Sequence, residues 1–186
     1  MRITEASHAD IEPLVALARR SFFDAYRETD DHALIDDYCA RNFTRERFSS
    51  ILADPRSSLL VATDGAGDLV GYAHIAEVEP PPCVSGPHPI ELVRLYLAQE
   101  WIGRGIGAVL MREAIAAARR LGGRTLWLGV YERNPRAIAF YGRFGMKRVG
   151  TKPWKWGGEV VGGGEVFQDP VLECAIDAPS GDRLTP

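Results

Sequence analysis

Cysteine is scarce in this chain of 186 residues: there are three, Cys39, Cys83 and Cys174, widely spaced and without a Cys-x-x-Cys pair. That excludes a disulfide framework and a thiolate metal site and leaves ordinary reduced thiols. The four histidines, His8, His32, His74 and His88, show no ligand spacing, so no metal is expected. A surplus of one charge is lacking too. Lys and Arg number 22 against 25 Asp and Glu, for a net charge of −3 and a pI near 5.8. This balance argues against nucleic acid or an anionic membrane as partner. No window approaches the roughly 18 apolar residues of a membrane span. Met1 to Ala6 has neither the basic segment nor the apolar stretch of a signal peptide, so a cytoplasmic protein is the expectation. Internal repeats and low-complexity tracts are absent.

What is present is 46% hydrophobic residues in a chain of single-domain length, enough for one sizeable core. One domain is expected over 1–176, with a frayed tail over 177–186. Arg2 to Thr4 reads as a short strand. Ser7 to Asp10 has the spacing of a capping box before the amphipathic run Ile11, Leu14, Val15, Leu17 and Ala18, which predicts a helix to about Tyr26. Another is expected over His32 to Asn42, with Leu34, Ile35 and Tyr38 on its inner side. A third, capped by Thr44, carries Phe48, Ile51 and Leu52 and stops at Asp54-Pro55. Ser58 to Thr63 and Leu69 to Val78 make a hairpin about the turn Asp64 to Asp68. After a proline-rich loop come an apolar strand over Glu91 to Leu97 and a helix from Gly105 to Leu121, with inner stripe Ile106, Leu110, Ala114, Ala117 and Leu121. A strand over Arg124 to Val130, a helix from the Asn134-Pro135 cap to Phe144, and closing strands over Met146 to Thr151 and Val166 to Ile176 complete the pattern. The strand–helix–strand unit at 91–130 requires a right-handed crossover between parallel strands, whereas the hairpin is antiparallel. The fold class expected is therefore α/β (α+β): a mixed sheet with helices on its faces.

The turn between the strand at 91–97 and the following helix holds Gly103, Gly105 and Gly107. Glycines let the backbone approach a ligand, and the first turn of the helix offers unpaired N–H groups at the positive end of its dipole, so this junction suits a phosphate. A Walker loop is ruled out, because no lysine followed by Ser or Thr stands at the required place. A dinucleotide fingerprint fits Gly103, Gly105 and Ala108, but the nearest acid, Glu132, lies too far along and antiparallel strands precede the site. The remaining alternative is that small residues only let the helix pack on the sheet.

Arg104-Gly-Ile-Gly-Ala-Val-Leu110, following Leu-Val-Arg-Leu-Tyr-Leu, resembles the acetyl-CoA pyrophosphate motif of the GCN5-related N-acetyltransferases (GNAT). A second block, from Leu126-Trp-Leu-Gly-Val-Tyr-Glu-Arg-Asn-Pro through Ala-Phe-Tyr-Gly-Arg-Phe-Gly-Met146, is similar to that family's next strand and helix. The similarity spans 1 to about 176. Trp127-Leu-Gly-Val130, Glu132-Arg-Asn134 and Gln168-Asp169 resemble the polyamine-acetylating branch most, and Ser21 to Tyr26 resembles it more loosely. Two positions depart from the pattern: Ile102 stands where the family usually has Gln or Arg, and Met146 replaces the usual Phe.

The resemblance implies a central sheet of about seven mostly antiparallel strands, with a parallel pair that splays apart at its C-terminal ends. It implies acetyl-CoA as acetyl donor, bound by Gly103, Arg104, Gly105, Ile106, Gly107 and Ala108 at the pyrophosphate, by backbone groups of Leu95, Tyr96 and Leu97 along the pantetheine arm, and by Asn134, Ala137 and Tyr141. Tyr141 matches the tyrosine that serves as general acid toward the leaving thiolate. A backbone N–H of Tyr96 or Leu97 is the candidate oxyanion donor. Glu91 is the candidate general base, acting through a water. The acids Glu28, Asp30, Asp31, Asp36 and Asp37 can attract a cationic amine, and Tyr131, Trp154 and Trp156 can wall its pocket. The activity expected is direct acetyl transfer to the primary amine of a small molecule, a polyamine by resemblance. A protein N-terminus, antibiotic or amino acid is the alternative acceptor, and a non-catalytic acyl-CoA-binding module the alternative of another class. The protein would act as a monomer or homodimer.

Overall fold

The computed structural model describes residues 1–154 and 166–176. Its strands are β1 (Arg2–Glu5), β2 (Ser57–Thr63), β3 (Leu69–Ala76), β4 (Pro89–Leu97), β5 (Thr125–Gly129), β6 (Lys147–Trp154) and β7 (Phe167–Ala175). The helices are α1 (Ile11–Tyr26), α2 (His32–Asn42), α3 (Arg45–Ala53), α4 (Ile106–Arg120) and α5 (Pro135–Gly142). The expected elements are all found, with ends displaced by a few residues at most.

Local chemistry accounts for these ends. Asp10 and Ser7 close a reciprocal cap before α1, at 2.7 Å from the Ser7 N–H to Oδ2. Asp31 accepts from the Ala33 N–H at 2.8 Å to start α2, and Thr44 accepts from Arg47 at 3.2 Å to start α3. In α2 the inner side differs from the expected one: Ile35 and Cys39 are buried, while Leu34 is 45% exposed. The helix is rotated so that Tyr38 stacks on Phe22 of α1, with ring centroids 4.6 Å apart, and Leu34 turns to solvent.

The strands form one sheet in the order β1-β2-β3-β4-β5-β7-β6. Every neighbouring pair is antiparallel except β4 and β5. The crossover through α4 places that helix on one face of the sheet, where Leu110, Met111, Ala114, Ala117 and Ala118 pack on Ile75, Ile90, Leu92, Leu126 and Leu128. Helices α1–α3 cover the other face, with Leu14, Phe22, Ile35, Phe43 and Phe48 against Leu59, Val61 and Tyr72. Burial of these two apolar layers holds the sheet as a wall between two compartments.

Candidate active site

The parallel pair is short. Pro89, Ile90 and Glu91 of β4 oppose Thr125, Leu126 and Trp127 of β5, and pairing stops there although both strands continue. Beyond that point β4 stays on β3 and β5 stays on β7, so a gap opens between their C-terminal ends. The Ala98 N–H donates to the Val70 carbonyl at 2.9 Å. Antiparallel pairs alternate between bonded and unbonded, so Tyr96 likewise spends its backbone on Tyr72, while Leu95 and Leu97 turn theirs into the gap. Of the three residues expected to offer free backbone groups, Tyr96 is thus corrected. A bulge between His74 and Ile75, opposite Val93, sets this phase.

The gap leads to the glycine turn. Gly103 and Gly105 have φ of 86° and 82°, in the left-handed region that favours glycine, and Gly105 is the residue that starts α4. Among the described residues the N–H groups of Gly103, Arg104, Gly105, Ile106 and Gly107 make no backbone hydrogen bond. Ala108, expected to join them, donates instead to the Gly105 carbonyl at 3.1 Å. An added Cβ at Gly103 or Gly105 would meet nothing within 4 Å, so the side from which those amides are approached is open. Gly107 serves a different purpose: a Cβ there would touch Leu97 at 3.5 Å and Phe140 at 3.6 Å, so its smallness seats α4 between β4 and α5. The Arg104 guanidinium rests over the Trp101 ring, 5.1 Å from its centroid. Unpaired amides at the positive end of a helix fit a diphosphate, and the two backbone edges in the gap fit an amide-bearing arm.

On the far side of the gap, the Asn134 Oδ1 accepts from the Ala137 N–H at 2.9 Å and starts α5. That helix carries Tyr141, 9% exposed, whose phenol is pushed well above its ordinary pKa by burial and, secondarily, by Tyr96. Tyr96 belongs to the other sheet face, and burial raises its own phenol to about 12. It is hydrogen-bonded to Tyr26 of α1, which burial also raises and which Tyr96 and Asp169 raise further. The Tyr141 and Tyr96 phenols, from opposite faces of the sheet, are thus within electrostatic reach of one another.

Glu91 lies four residues before Leu95, about 13 Å along the strand at ~3.3 Å per residue. There β4 and β5 still pair, and the Glu91 Oε1 accepts from the Lys152 Nζ at 3.1 Å. Lys152 also sits over Trp127, 5.2 Å from its centroid. Of the expected acids, Asp31 is occupied in capping α2 and Asp37 pairs with Arg41. Asp30 reaches the site, accepting from the Tyr131 hydroxyl at 3.0 and 3.1 Å. Tyr131 packs against Tyr26 at 5.1 Å and Phe167 at 5.2 Å between centroids, and Trp154 lies 5.8 Å from Phe167. Trp156, expected beside them, lies outside the described residues. The sequence pattern assigned no role to Asp169, which is 6% exposed on β7, opposite Lys152 of β6. Its Oδ1 accepts from the Glu132 N–H at 3.2 Å, while the Glu132 carboxylate accepts from the Gln168 N–H at 3.2 Å. Burial raises the Asp169 carboxyl to about 6, against the lowering effects of the Glu132 N–H and Lys152.

A model of the acetyltransferase (GNAT) family matches residues 11–146. The chain belongs to that family. Two Mycobacterium tuberculosis proteins, an uncharacterized N-acetyltransferase and the N-alpha-acetyltransferase RimI, are each 33% identical over 148 residues; these cover 80% and 77% of this chain and 90% and 85% of theirs. A spermidine N(1)-acetyltransferase of Thermoplasma acidophilum is 25% identical over 150 residues, 79% of this chain and 88% of its own. Among solved structures, the PaiA N-acetyltransferase of the same organism, in complex with coenzyme A, superposes with a TM-score of 0.73 at 22% identity over 94% of this chain and 98% of that one. This GNAT chain is an acyltransferase with acetyl-CoA as its acetyl donor. Surface hollows of about 370 and 620 Å³ lie toward the opposite end of the sheet, around Thr125 and His88, and border neither Tyr141 nor the glycine turn.

Proposed function

We propose that this GNAT protein transfers the acetyl group of acetyl-CoA directly to the primary amine of a small cationic molecule of the polyamine class. The observation that carries the proposal is the β4–β5 gap, running from a turn of open amides at Gly103–Gly107 to the buried phenol of Tyr141. Acetyl-CoA supplies an activated thioester. The amides of Gly103 to Gly107 hold its diphosphate with the α4 dipole, and because Ile102 offers no polar side chain, this clamp rests on backbone. Leu95 and Leu97 receive the pantetheine arm as an added strand, and one of their N–H groups stabilises the developing oxyanion. Tyr141, held protonated by burial, gives its proton to the departing thiolate. Burial raises Cys39 to about 11 and also raises Cys174, which keeps these two thiols from acting as thiolate nucleophiles.

Small amines are favoured by the site mouth, where Asp30 and Asp169 stand beside the Tyr26, Tyr131, Trp154 and Phe167 rings, a setting for a cation. A protein N-terminus is the second reading, supported by the 33% identity to RimI. The test is release of free thiol from acetyl-CoA with spermidine, diamines, amino acids and a short peptide with a free N-terminus. Turnover with polyamines and a loss of about 100-fold in Tyr141→Phe are expected. Turnover restricted to the peptide would replace the first reading by the second. Binding of acetyl-CoA without thiol release for any amine would sink both.

A further inference from the structure

An aliphatic amine arrives as an ammonium ion and must lose a proton before it can attack. Glu91 already holds Lys152, at the paired end of the gap. At the open end stands another carboxylate. We propose that Asp169 binds the ammonium group of the acceptor and takes its proton, as the general base of the transfer; this rests on the amine acetyltransferase reading above.

Position is the first argument. The Val130 N–H donates to the Pro170 carbonyl at 3.0 Å, which fixes β7 beside the C-terminal end of β5, beyond the residues that pair with β4. Asp169 opposes Lys152 in register and shares its sheet face with Phe167 two residues before it, on the side covered by α1. Tyr26 spans the mouth from above, hydrogen-bonded to Tyr96 on β4 and within electrostatic reach of Asp169 on β7. The carboxylate thus lies across the mouth from the strand whose backbone faces the thioester.

Valence is the second argument. Oδ1 is engaged by the Glu132 N–H, and no described residue donates to Oδ2. A carboxylate that is 6% exposed among aromatic rings, with one oxygen taking no hydrogen bond from the described residues, is costly to keep unless a cation completes it. The charged and titratable groups around it are Lys152 from β6, Glu132 from the turn after β5, Tyr26 from α1, Tyr131 at the end of β5, and Arg133, whose guanidinium lies over Phe167 at 5.0 Å. Burial, with the Glu132 carboxylate adding to it, outweighs the Glu132 N–H and Lys152 and lifts the carboxyl to about 6. Proton transfer from an ammonium near 10 to a carboxylate near 4 is unfavourable by about 10⁶, and the raised affinity reduces that to about 10⁴.

The protons balance. The first leaves the ammonium for Asp169 and then passes to solvent. The free amine attacks the thioester carbonyl carbon, the C–S bond breaks, and Tyr141 protonates the sulfur. The second nitrogen proton restores Tyr141, leaving an amide, free thiol and one released proton.

The test uses Asp169→Asn, whose amide oxygen can still accept from the Glu132 N–H. Rates are measured against pH with spermidine and with trifluoroethylamine, an amine that is largely neutral at pH 7. In the unaltered protein kcat with spermidine should fall below about pH 6. The variant should lose about 100-fold or more with spermidine and its acidic limb near pH 6, yet lose far less with trifluoroethylamine, with acetyl-CoA affinity unchanged. Equal losses for both amines, a retained acidic limb, or removal of that limb by Glu91→Gln instead would overturn the assignment to Asp169 while leaving the acetyltransferase reading intact. No amine-dependent thiol release from the unaltered protein would overturn both.

Discussion

Gly105 and Gly122 stand at opposite ends of α4 with φ of 82° and 85°, and an added Cβ at either would meet nothing within 4 Å. Alanine at either position therefore carries the same backbone strain without a clash. A left-handed alanine costs about 1–2 kcal/mol. For a domain of this size each kcal/mol lowers Tm by roughly 2–4 °C, so both variants should melt about 2–8 °C below the unaltered protein. Their effects on acetyl-CoA should differ. At Gly105 the methyl enters the open side of the amides at 103–107, where a diphosphate must come within hydrogen-bond distance. Each charge-assisted bond lost there costs about 1.5–3 kcal/mol, which is roughly 10- to 150-fold in Kd. Gly122, beyond the far end of the helix, should leave Kd unchanged. Thermal unfolding and calorimetric titration with acetyl-CoA measure both quantities on the same samples. Equal Kd values for the two variants would refute the placement of the diphosphate at the start of α4, and an unaltered Tm in both would refute the strain argument.

Two further outcomes are expected. His74 is 7% exposed, and burial, with Arg94 assisting, lowers its imidazole to about 4. The unfolded chain takes up that proton near pH 6.5 and the folded one only near 4, so stability present above pH 6.5 should be lost as pH falls through that window. The loss is at most about 3 kcal/mol, and in His74→Gln the dependence on pH measured by denaturant unfolding should flatten; an unchanged slope would show that His74 is not its source. Gly123→Ala should destabilise by about 1–3 kcal/mol, because its Cβ would lie 2.8 Å from the Ala118 carbonyl oxygen and 2.5 Å from the Ile90 side chain. Its acetyl-CoA affinity should hold, and a Tm within 1 °C of the unaltered protein, about the resolution of the assay, would contradict this packing.

The helices and strands were legible because their signals are local. The Asn134-Pro135 start of α5, the Thr44 cap of α3 and the apolar stripe of α4 act within a turn or two, and the structure keeps each one. The turn at Gly103 and Gly105 was legible for the same reason, since positive φ is a property of single residues. Leu34 marks the limit: three apolar residues in α2 did not reveal which of them would face Phe22, because α1 decides that.

Sequence alone determined the order of elements, the sites where helices start, and the family motifs that carry Tyr141 and the glycine turn, all consequences of backbone preference and of side chains close along the chain. Tertiary structure decided the rest of the site. A bulge on β4 turned Leu95 and Leu97 rather than Tyr96 into the gap. The sheet order β5-β7-β6 brought Lys152 onto Glu91, 61 residues away, and Asp169 onto the Glu132 amide, 37 residues away. Which charges are neutralised and which stay open depends on contacts between segments remote in the chain, and these exist only once the sheet has assembled.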